Sequence, residues 1–90
     1  MEIDALFDQA ILGEQLDNFW RSDVGNFVLA KAEREYIMAL GSLVEVDPSD
    51  TKAILKHQSD AKRASSIKQW LSEGITQGLK AKEILEDRES

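Results

Sequence analysis

The sequence predicts an all-α fold: a long antiparallel helical hairpin preceded by a short N-terminal helix, one helical domain over residues 1–90 that forms oligomers. Three observations predict it. Ile54, His57, Ala61, Ala64, Ile67, Leu71, Ile75, Gly78 and Leu85 recur mostly at three- and four-residue steps with charges between them, the pattern of a helix face that packs on other helices. The only Pro sits in Val46-Asp47-Pro48-Ser49-Asp50 and separates that stretch from an earlier one of good helix formers. Ninety residues also bury only a modest share of their surface, so association is a common source of further stability at this size.

The first helix is expected within residues 1–20. Ile3, Leu6, Phe7, Ala10 and Ile11 define one apolar face, Gly13 ends or loosens the helix, and Leu16, Phe19 and Trp20 carry the face onward. The second helix spans 22–45, opening on the cap-type Ser22. The third spans 48–86, with Asp47 as its cap, Pro48 in its first position and Asp50 adding negative charge to its first turn. At 1.5 Å per residue the third helix is roughly 55–60 Å long and the second about 35 Å. Either the first helix or another subunit must then cover Trp70, Leu71, Ile75, Leu79 and Leu85, or the third helix breaks near Ser65-Ser66 or Gly74 and folds back.

With the turn centred near Asp47, Leu40 and Leu43 face the region of Ile54, Tyr36 faces His57 and Ala61, and Leu29 faces Ala64 and Ile67. Large residues on one helix then meet small ones on the other, which is how helix surfaces interlock. The second helix carries more apolar surface than one contact needs. Val24, Phe27, Val28 and Met38 flank its main stripe, and Ile37 lies elsewhere on its circumference. The expected interface residues are Trp20, Phe27, Tyr36, Trp70, Leu71 and Ile75, because aromatic and large apolar groups dominate association energetics. Their alternative role is the core of the single chain.

The net charge of −6 is unevenly distributed. Residues 1–50 hold eleven Asp/Glu against three Lys/Arg, a balance of −8, and residues 51–90 hold six against eight, a balance of +2. The two halves can attract each other within a bundle or between subunits. The overall sign opposes non-specific nucleic-acid binding, which requires several phosphates to be neutralised. Lys52, Lys56, Lys62, Arg63 and Lys68 therefore read as a solvated face or a docking surface for the acidic half of a neighbouring chain. With no Cys there is no disulfide, thiolate metal site or thiol nucleophile. The acidic N-terminus and short apolar runs predict an intracellular protein without a signal peptide or membrane span.

No catalytic, cofactor or metal site is expected. His57, the single histidine, lies on the apolar stripe, and Asp60 three residues on is one carboxylate where a catalytic base or zinc site needs more partners. Asp47-Pro48-Ser49-Asp50 lacks the alternating oxygen ligands of a calcium loop. No phosphate-binding loop is present. Gly74 and Gly78, four residues apart, suit close packing against the first helix or a second subunit.

At Phe19-Trp20-Arg21-Ser22-Asp23-Val24-Gly25, Ala32-Glu33-Arg34-Glu35, Val46-Asp47-Pro48 and Trp70-Leu71, the chain resembles small helical proteins of tailed bacteriophages and prophages, over most of residues 19–85. The resemblance implies a phage product of the virion or its assembly, found in the host-cell cytoplasm or the virion, and brings no catalytic residue with it. The expected function is non-enzymatic interaction or oligomerisation, with a phage structural protein or a host protein as the further partner. The alternative is an acidic regulator or host-directed inhibitor that occupies a basic protein surface.

Overall fold

A computed structural model describes residues 2–89, so Met1 of the expected first helix lies outside the described residues. The described residues are all-α, in the order α1 (Ile3–Arg21), α2 (Asp23–Glu45) and α3 (Thr51–Glu89). Packing divides the chain into two units. Unit 1 is Met1–Asn26 with Gln69–Ser90, and unit 2 is Phe27–Lys68. All nine residues of the stripe from Ile54 to Leu85 are buried or half-buried, as a 3.6-residue period requires.

Unit 1 is organised by glycines whose value is space. No glycine among the described residues has a positive φ. A Cβ placed on Gly13 would lie 2.7 Å from the Gly78 Cα, and one on Gly78 would lie 2.7 Å from the Gly13 Cα and 3.0 Å from the Gln9 carbonyl oxygen. A Cβ on Gly74 would collide with the Leu16 side chain. Gln9 and Gly13 thus meet Gly78, and Leu16 meets Gly74, so α1 runs antiparallel to this part of α3. Gly13 does not end or loosen α1. It is the point where two helix backbones touch, and the surrounding helical hydrogen bonds hold it in place. Beside this contact Leu6 and Ala81 are each only 1 % exposed.

The α1–α2 corner is a single residue. The Ser22 hydroxyl donates to the Phe19 carbonyl at 2.6 Å and accepts from the Gly25 N–H at 2.9 Å, while the Ser22 N–H donates to the same carbonyl at 3.1 Å. One side chain therefore caps the end of one helix and the start of the next. A Cβ on Gly25 would strike the Phe19 carbonyl oxygen.

In unit 2 the buried positions are alanines on both helices: Ala32 and Ala39 on α2, Ala61 and Ala64 on α3. The sequence predicts large residues of the second helix against these small ones of the third, whereas the most buried positions of α2 are themselves alanines. Leu29 and Leu43 are half-buried, but Tyr36 and Leu40 are exposed. The seven-residue step through Gly25, Ala32 and Ala39 puts small residues at the centre of the buried face of α2, so the large ones flank it.

The start of α3 also differs from expectation. Asp47 begins a β-turn closed by the Asp50 N–H donating to the Asp47 carbonyl at 2.9 Å, with Pro48 in the second turn position that its fixed φ favours. The Asp47 carboxylate accepts from the Ser49 N–H at 2.9 Å and the Ser49 hydroxyl at 2.8 Å. Asp50, not Asp47, caps α3 by accepting from the Ala53 N–H at 3.1 Å. From there α3 is continuous through Ser65, Ser66 and Gly74 to Glu89. Both serine hydroxyls donate to the Lys62 carbonyl and so remain compatible with the helix.

Two tests arise from this geometry. Gly13→Ala and Gly78→Ala should each destabilise the fold by about 1–3 kcal/mol despite alanine's better helix propensity. Gly41→Ala, where an added Cβ meets nothing within 4 Å, should stabilise by about 0.5–1 kcal/mol, as read by urea unfolding with circular dichroism. Hydrogen bonds from the Ser49 N–H and then its hydroxyl hold the Asp47 pKa below the ordinary carboxylate value. Because the folded-state value is the lower one, its stabilisation is present above the unfolded value and is lost as pH falls through the folded one. The melting-temperature deficit of Asp47→Ala should accordingly be larger at neutral pH than in acid, and an NMR titration should place Asp47 below an exposed aspartate.

Candidate interaction surface

The inward residues are small and many of the outward ones are large. In unit 2, Phe27 (66 % exposed), Ile37, Met38 (71 %), Val44 (84 %) and Leu55 project outward, whereas the buried positions are alanines. In unit 1, Ile3, Phe7, Ile11, Leu12, Val24, Trp70 (66 %) and Leu79 are exposed. Side chains of this size each gain about 1.5–3 kcal/mol on full burial, so leaving them in water forgoes much of the available hydrophobic stabilisation.

The six residues expected at an interface fall into different environments. Phe27 and Trp70 are well exposed, Tyr36 is at the boundary, Trp20 and Ile75 are half-buried, and Leu71 is buried. Leu71 therefore packs inside the chain, where the stripe of α3 places it. Sequence reasoning missed the division of the α1 face. Leu6 is buried and Ala10 half-buried, but Ile3, Phe7 and Ile11 form a separate exposed ridge at i, i+4 and i+8. The signal was the four-residue step itself, which on a 3.6-residue helix drifts away from the line through Leu6 and Gly13.

Unit 2 contains an open groove of about 550 Å³ between α2 and α3. Ala32, Ala39 and Ala64 lie deep in it, and Phe27, Met38 and Ile67 stand along it. Lys31, Lys56 and Arg63 line it against Glu35 and Asp60. Asp60 bridges Lys56 at 3.6 Å and Arg63 at 3.8 Å, both on α3 and largely solvated, so these pairs add little stability. His57 also lines the groove and is half-buried. Unit 1 has a smaller hollow of about 170 Å³ beside the glycine contact, bordered by Glu14, Asp17, Arg21 and Lys82. Arg21 and Asp17 pair at 3.2 Å within α1.

Among the described residues no group of three His, Cys, Asp or Glu is placed to hold a metal ion, and no helix is long and apolar enough to cross a membrane.

A comparison with protein families, characterised proteins and solved structures finds no match to this chain.

The exposure of the two tryptophans yields a direct test. In dilute solution, Trp20→Phe, which leaves only Trp70, should emit at longer wavelength and be quenched more by iodide than Trp70→Phe, which leaves only half-buried Trp20.

Proposed function

We propose that this chain is a non-enzymatic helical interaction protein that self-associates through its exposed apolar side chains and acts as a component of a phage virion or its assembly. One observation carries the reading: alanines and glycines occupy most of the buried positions, while Phe27, Met38, Val44 and Trp70 are left in water. An apolar surface of this kind, rimmed by charge, marks a protein contact. In this reading α2 and the first part of α3 form an antiparallel helical hairpin whose outer faces are completed by other chains. The phage assignment rests on the resemblance over residues 19–85, which carries with it the host-cell cytoplasm or the virion as location.

A second reading has its own support. Residues 1–20 contain Glu2, Asp4, Asp8, Glu14 and Asp17 and no Lys or Arg. Such a segment suits an acidic regulator that occupies a basic protein surface, and salt-sensitive binding to a basic host protein without self-association would favour it.

Light scattering after size exclusion, across dilution and salt, tests the first reading. A mass above the 10.1 kDa of one chain, falling on dilution, is the expected result. A monomer at every concentration overturns self-association.

A further inference from the structure

We infer that the occupant of the unit 2 groove is the α1 ridge of a second copy, the Ile3, Phe7 and Ile11 side chains of one chain seating between α2 and α3 of another. This rests on the self-association reading and specifies its contact. Each surface is open in its own unit: Ile3, Phe7 and Ile11 of unit 1 are each about half exposed, and Phe27 and Met38 of unit 2 more so.

The groove is long enough for the ridge. Ile3 to Ile11 covers about 12 Å of helix, while the groove runs from Phe27 to Ser42 on α2, about 22 Å, and from Lys56 to Ile67 on α3, about 16 Å. The two surfaces match in shape, because a ridge of large side chains requires a floor of small ones, and Ala32, Ala39 and Ala64 supply it.

They also match in charge. Glu2, Asp4, Asp8 and Glu14 accompany the ridge on a helix whose only cation is Arg21 at its far end. The groove presents Lys31, Lys56 and Arg63 against Glu35 and Asp60, one positive charge in excess. Opposite signs on two unlike surfaces of one chain steer the copies together and disfavour ridge-to-ridge pairing.

Each chain would use a ridge in one contact and a groove in another. The contact is heterologous, so blocking either surface alone leaves the other competent.

The experiment uses two full-length variants: ridge-blocked Phe7→Ser/Ile11→Ser and groove-blocked Phe27→Ser/Met38→Ser. All four residues are exposed, so helical content by circular dichroism should match the wild type. Each variant alone should associate on the order of 30-fold or more weakly than the wild type. Mixed, they should form a 1:1 complex of twice the 10.1 kDa chain mass, because each supplies the surface the other lacks. Adding Lys31→Glu/Arg63→Glu to an otherwise wild-type chain should weaken its association, and most at low salt. A wild type that is monomeric at every concentration overturns both self-association and this contact. A wild type that associates, with variants that associate equally well alone or fail to complement when mixed, overturns this contact only.

Discussion

The backbone contact between Gly13 and Gly78 is the constraint on which unit 1 depends. Two helices normally pack 8–10 Å apart because side chains stand between them. Here the absence of two Cβ atoms lets the main chains meet, and Leu16 uses the space that a side chain at Gly74 would need. Such closeness is gained at the expense of apolar volume. A glycine contact buries little hydrocarbon, so Leu6, Leu71 and Ala81 must supply much of the hydrophobic stabilisation around it.

Unit 2 follows the same logic with alanine in place of glycine. Small residues occupy the buried positions and the larger ones are displaced to the sides of the helices, where they form a groove. The corner at Ser22 and the turn at Asp47 to Asp50 are polar devices that set where helices stop and start. Their hydrogen bonds are short and local, which frees the apolar side chains from any duty in the connections. A chain built this way leaves large apolar residues outside, and that is the basis for reading it as a component of something larger.

Much of the fold was legible because helices announce themselves locally. The stripe from Ile54 to Leu85 is buried or half-buried at every named position, and the three helical segments lie near where capping residues and propensity put them. The glycine pair Gly74 and Gly78 pointed to close packing, though its partner on α1 was hidden. Gly13 was expected to end or loosen α1 because glycine is a poor helix former, and nothing near it in the sequence reveals a partner backbone. Phe27 and Trp70, expected at an interface, are each 66 % exposed. The ridge of Ile3, Phe7 and Ile11 was merged with Leu6 into one face because all four satisfy a helical period within so short a segment.

The helical class, the charge asymmetry and the polar punctuation at Ser22 and Pro48 are written in the amino-acid order, since these depend on residues only a few positions apart. Tertiary structure alone decided that Gly13 meets Gly78, that alanines rather than leucines occupy the buried positions of unit 2, and that Leu71 turns inward while Trp70 faces water. Those outcomes depend on the rotation of one helix about its axis relative to its neighbour. Neighbouring positions on a helix differ by about 100°, so a small rotation exchanges an inward residue for an outward one without changing the local pattern that specifies the helix.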